Sequence, residues 1–113
     1  MNENRIVVVW SSGDPEVAHE TCFLYTRNAK KRGWFDDVTL IIWGPSAALL
    51  VKDESLQKEV KAMMNGGVRV MACRRCAEDY GVHDQLVDMG IESIYIGETL
   101  SDMIKEGRHV LTF

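Results

Sequence analysis

Apolar residues in this chain come in short unbroken runs, separated by polar stretches in which apolar positions recur at helical spacing. Arg5 to Trp10 (RIVVVW) is β-branched and almost wholly apolar, as expected of a strand covered on both faces. Asp14-Pro15 then places a good N-cap before a proline suited to the first helical position. The predicted helix carries Ala18, Cys22, Tyr25 and Ala29 on one stripe, gathers Arg27, Lys30, Lys31 and Arg32 near its end, and stops at Gly33. Val38 to Trp43 (VTLIIW) is a second strand, broken by Gly44-Pro45-Ser46, and Ala47 to Val51 is either a helical turn or a loop. Asp53 to Asn65 aligns Leu56, Val60, Met63 and Met64 and ends at Gly66-Gly67, a clear amphipathic helix.

Val68 to Ala72 predicts a third strand that delivers Cys73 at its carboxyl end, followed by short helices over Arg74 to Tyr80 and Val82 to Met89. Ile91 to Ile96 is the expected fourth strand, Thr99 the expected cap of a helix through Glu106, and Arg108 to Phe113 a fifth strand. Strands and helices that alternate with short connections specify the α/β class: a three-layer α/β/α domain with a five-stranded, mostly parallel sheet and right-handed crossovers. With no repeat, linker or low-complexity tract, residues 1–113 read as one domain.

In open α/β sheets ligands sit beyond the carboxyl ends of the strands. That rim is legible here as Trp10-Ser11-Ser12, Trp43-Gly44-Pro45-Ser46, Cys73-Arg74-Arg75-Cys76 and Gly97-Glu98-Thr99. Cys73 and Cys76 become the candidate reactive thiols. Arg74 and Arg75 are expected to lower their pKa below the ordinary value of about 8.5, and Ser11, Trp43, Gly44 and Pro45 to wall the pocket. The competing readings are plain packing of both cysteines and pairing of an arginine with Glu78 or Asp79. Cys22, within the first helix's apolar stripe, reads as core filler.

Composition narrows the partners. A net charge of −4 and 27% charged residues remove the attraction on which non-specific nucleic-acid binding depends. The longest uncharged run, Val38 to Val51, is shorter than the roughly 20 residues of a membrane span and contains Gly44-Pro45, so no membrane partner is expected. MNENRIVVVW reads as a first strand rather than an export signal, which makes a cytoplasmic location the expectation. Three cysteines then read as thiols reduced at rest. A zinc site would lack ligands beyond Cys73, Cys76 and His83, and a thioredoxin-type motif belongs after the first strand of its unit, so neither a metal nor another cofactor is expected.

The string VRVMACRRCAEDYGV, preceded by IIWGPSAALL and DESLQKEVKAMMNGG and followed by a closing GRHVLTF, resembles the DsrE/DsrF-like family over nearly the whole chain. The resemblance implies a small five-stranded parallel α/β protein that assembles as a homo-oligomer, a trimer or hexamer, and takes part in sulfur relay between donor and acceptor proteins. It places Cys73, which ends its strand and precedes Gly81, at the position of a persulfide-carrying cysteine. Cys76 departs from the pattern and would be an accessory or resolving thiol. The expected function is sulfur trafficking, by a carrier or a sulfurtransferase. The alternatives are a non-catalytic ligand-binding or assembly module, and a Cys73/Cys76 redox switch.

Overall fold

The computed structural model describes residues 4–113; Met1 to Glu3, part of the stretch read above as lacking an export signal, lie outside them. Five strands, β1 (Arg5–Trp10), β2 (Asp37–Ile42), β3 (Arg69–Cys73), β4 (Glu92–Ile94) and β5 (His109–Thr112), form one sheet in the order β4-β3-β2-β1-β5, and every recorded pair is parallel. Six helical segments connect them. The first, α1, runs over residues 15–31 and widens into π-helical turns at Ala18–Phe23; Asp14 caps it by accepting from the Glu16 N–H at 2.8 Å. Helices α2 (Pro45–Lys52), α3 (Glu54–Asn65), α4 (Arg74–Tyr80), α5 (His83–Asp88) and α6 (Ile96–Lys105) follow.

Strand order dictates where the helices lie. From β1 to β4 each step moves the same way across the sheet, so right-handed crossovers put α1 to α5 on one face; the return from β4 to β5 puts α6 on the other. The two cores match this division. Ile6, Val8, Trp10, Leu40, Ile42, Val70 and Ala72 pack against the α1–α5 layer, with the Trp10 and Phe23 rings edge to face at 4.7 Å. Val7, Val9, Ile41, Met71 and Cys73 turn the other way, toward Ile96, Leu100 and Met103 of α6. Period-2 alternation explains why these strands read as continuous apolar runs: both sets of side chains are buried.

One choice left open in the sequence is resolved, and the largest departure from the sequence reading falls at the end of the fourth strand, most other ends shifting by a residue. The segment Ala47 to Val51 lies inside α2. The fourth strand covers only Glu92–Ile94, and α6 starts at Ile96, three residues before the expected cap Thr99. An edge strand pairs on one side only, here for three residues, whereas Ile96, Leu100 and Met103 gain burial at helical spacing against the second face. Among the described residues no helix is long and apolar enough to cross a membrane.

Candidate functional site

Strands β3 and β4 are neighbours whose outgoing chains leave to opposite faces, α4 to one and α6 to the other. Such a divergence opens a crevice beyond the strand ends. Cys73 is the last residue of β3, in register with Ile94 of β4, and Cys76 lies in the first turn of α4. Strand end and helix start therefore bring the two thiols close enough for Cys73 to perturb the Cys76 thiol. Cys73 is 6% exposed and packs in the α6-side core, with Cys76 half-buried at its edge.

The Cys76 thiol also meets the backbone of Gly44, the residue before α2. Gly44 has φ +73°, a conformation that favours glycine, and Ser46 pins the loop around it: the buried Ser46 hydroxyl donates to the Trp10 carbonyl and accepts the Trp43 N–H at 3.2 Å. Ser46 was read as part of the rim in the sequence but was given no role in the pocket. Its signal was its place in the Gly-Pro-Ser break, which reads equally well as an ordinary turn.

Ser11, Trp43, Gly44 and Pro45 do come together. With Val9 and Thr112 they line a groove of about 310 Å³ at the carboxyl ends of β1, β2 and β5. Ser11 is fastened there, its N–H and hydroxyl donating to the Phe113 main-chain oxygen at 2.8 and 3.0 Å. Val9 and Thr112 are far apart in sequence and meet only because β1 pairs with β5.

The arginines depart from expectation. Arg74 Nε lies 3.4 Å from Glu78 and Arg75 Nε 3.3 Å from Asp79, the i,i+4 pairing of an exposed helix surface. Arg74 also sits over the exposed Tyr95 ring, 5.5 Å from its centroid, and Tyr95 Oη donates to Glu78 at 3.1 Å, which builds a polar wall beside the β3–β4 crevice. The Cys76 thiol is pushed up from its ordinary value, first by burial and then by its bond to Cys73; only the Gly44 backbone contact pulls it down. The expected acidification of Cys76 by guanidinium groups is thus corrected: the cations are spent on neighbouring carboxylates, and Cys76 keeps its proton. Cys22 is fully buried, and burial pushes its thiol up to about 12, as suits core filler.

His83 donates to or accepts from Ser93 Oγ at 2.8 Å, and among the described residues no group of three or more His, Cys, Asp or Glu is placed to hold a metal ion.

The model of the DsrE/DsrF-like family matches residues 4–113, a span that takes in the strand-terminal Cys73, the second thiol Cys76 and the Gly44-Pro45 loop. The chain belongs to the DsrE/DsrF-like family. A solved structure of a conserved protein of unknown function from Bacteroides thetaiotaomicron is similar, with a TM-score of 0.93 and 28% identity over 97% of this chain and 95% of that one. No curated protein matches. For a DsrE/DsrF-like chain, sulfur relay is the type of function that the family suggests.

Proposed function

We propose that this protein traffics sulfane sulfur, carrying it as a persulfide on Cys73 with Cys76 as accessory thiol. The observation that supports this reading is the juxtaposition of the two thiols, Cys73 at the end of β3 and Cys76 in the first turn of α4. In the loading step the Cys73 thiolate attacks the outer sulfur of a donor persulfide R–S–SH. A Cys73–S–SH bond forms, the donor's S–S bond breaks, and R–S⁻ leaves with the electron pair. Cys76, which holds its proton, is placed to hydrogen-bond the sulfur of its partner.

Two exits are open to the loaded protein. An acceptor thiolate can take the outer sulfur and restore Cys73. Alternatively, deprotonated Cys76 attacks the inner sulfur of Cys73–S–SH, closing a Cys73–Cys76 disulfide and releasing HS⁻. The raised pKa of Cys76 disfavours the second route at neutral pH and so protects the carried sulfur.

The reading includes a cytoplasmic setting and self-association. Strand β5 is a sheet edge with Val110 and Leu111 about 40% exposed, and Ile104 of α6 is more exposed still, an apolar margin suited to contact between copies. Incubation of the reduced protein with a persulfide donor tests the central point: intact mass should rise by one sulfur atom in wild type and Cys76→Ser and not in Cys73→Ser. Equal loading of Cys73→Ser would overturn it. The second reading, a redox switch, is favoured by the same juxtaposition and would show as the loss of two hydrogens with no sulfur gained.

A further inference from the structure

On the α1 side of the sheet, away from the thiols, three aromatic rings gather around a groove of about 400 Å³. Tyr25 stands on α1, Phe113 follows β5, and Trp34 comes from the turn after α1. That turn is shaped to carry it. Gly33 takes φ +70°, and the Trp34 N–H donates to the Ala29 carbonyl at 3.0 Å, so the chain folds back along α1 and brings the indole to the Tyr25 ring. The Phe113 N–H donates to the Val9 carbonyl at 2.8 Å, which fixes the third ring at the carboxyl end of the sheet. None of the groove's residues belongs to the site at Cys73, which lies in the core on the opposite face.

Two features set this cluster apart from core packing. Trp34 is 51% exposed, and Leu24 beside the groove is exposed as well. The rings are also splayed. From Tyr25 the centroid separations are 5.9 Å to Trp34 and 6.5 Å to Phe113, each pair inclined at 42°. A guest among them can lie within about 6 Å of all three centroids, the range over which a ring face attracts a cation. Glu20 is the one charged side chain that lines the groove among the described residues, and it has no ion-pair or hydrogen-bond partner among them.

Charge and surface together select the guest. Aromatic faces and a lone carboxylate favour a cation, and apolar walls favour one that brings no N–H donors to be satisfied. A primary ammonium has three donors and holds its water tightly, whereas a quaternary ammonium has none and surrounds its charge with methyl groups. An acid on the same molecule would meet Glu20 as a like charge. The groove's size is that of a small-molecule site. A two-fold contact between copies would set the patch against itself, Glu20 facing Glu20 with no cation in either groove.

We infer that the groove lined by Tyr25, Trp34, Phe113 and Glu20 binds a small quaternary ammonium compound without an acidic group, of the choline type. The three ring faces hold the trimethylammonium head, Glu20 supplies the opposite charge at the open side, and the Asn28 amide lies where it can bond the ligand's hydroxyl. This site does not depend on the sulfur chemistry proposed for Cys73.

Titration of the reduced protein with choline chloride, at ionic strength held constant with sodium chloride, tests the inference by calorimetry and by the Trp34 indole N–H signal in NMR. The comparison ligands are 3,3-dimethylbutan-1-ol, which has choline's shape without its charge, and glycine betaine, which adds an acid. Choline should bind saturably and shift the Trp34 signal. The uncharged alcohol and the Trp34→Leu variant, which keeps an apolar side chain but no ring, should each weaken binding about fivefold, while Trp34→Phe should retain most of it. Glu20→Gln should weaken choline about two- to threefold, as suits an exposed charge, and narrow its margin over betaine. Cys73→Ser should bind as wild type does, which separates this site from the sulfur reading. Equal binding of choline and the uncharged alcohol, full affinity in Trp34→Leu, or no shift of the Trp34 signal would overturn the inference. Binding of an N-acetyl-trimethyllysine amide but not of choline would overturn it in favour of a modified protein. A wild type larger than a monomer that dissociates in Trp34→Leu and binds no choline would overturn it in favour of a second copy.

Discussion

Gly44→Ala isolates the device that holds the thiol site together. With φ +73° and ψ −137°, Gly44 occupies a conformation that side-chain-bearing residues rarely adopt, yet a Cβ built there meets nothing within 4 Å. The cost is therefore backbone strain alone, about 1–3 kcal/mol, a sizeable part of the total stability of a domain this size. Gly97 provides a matched control: it too has nothing within 4 Å of its added Cβ, but it lies in the first turn of α6. There alanine should stabilise by about 0.5–1 kcal/mol, because it restricts the unfolded chain and favours the helix. The same chemical change is thus expected to act with opposite signs. It should also act differently on chemistry, since the Gly44 backbone contact is what lowers the Cys76 pKa against burial and the Cys73 bond. Urea unfolding of the reduced protein, combined with iodoacetamide kinetics at fixed pH, measures both effects. Gly44→Ala should unfold at lower urea and alkylate more slowly at Cys76, with Gly97→Ala matching wild type in alkylation. Equal stabilities, or unchanged Cys76 kinetics in Gly44→Ala, would refute the reasoning.

Other expectations follow from the same geometry. Thr39 is fully buried on the α6 side and its hydroxyl has no hydrogen-bond partner among the described residues, so Thr39→Val should raise stability by about 1–2 kcal/mol in a urea titration, and a loss would show that the hydroxyl is satisfied. The Cys76 alkylation rate should climb with pH to a midpoint above that of free cysteine, and Cys73→Ala should bring the midpoint down by removing the second cause of the shift. Because its folded-state pKa is raised, Cys76 contributes stability that is intact below the ordinary thiol value and is lost as pH rises through the folded one. Light scattering should find wild type larger than a monomer and Val110→Lys with Leu111→Glu shifted toward one; a monomeric wild type would remove β5 as a contact face.

Much of this was readable in the chain. RIVVVW and VTLIIW read as strands, and the structure buries both faces of them up to Ile42, leaving Trp43 beyond the strand and exposed; Cys73 fell at a strand end by simple counting. Gly81, with φ +70°, closes α4 where the sequence placed it. The site's finer design was less accessible because its parts are joined by tertiary contacts. Val9 and Thr112 share a groove through β1–β5 pairing, and Gly44 meets Cys76 only after α2 and α4 have packed. The arginines misled for a local reason. Two guanidiniums beside two thiols suggested an acidic cysteine, but in the folded helix they pair with Glu78 and Asp79, one turn on. Strand β4 was overestimated because Tyr95 and Ile96 continue its β-favouring pattern, and only the second face's need for a cover turns Ile96 into a helix residue.

The account turns on where sulfur resides. Reduced protein loaded with a persulfide donor, trapped by alkylation and cleaved into peptides, should carry its additional sulfur atom on Cys73, with Cys76 recovered as a plain alkylated thiol. Recovery of the added sulfur on Cys76, or equally on all three cysteines including buried Cys22, would contradict the account.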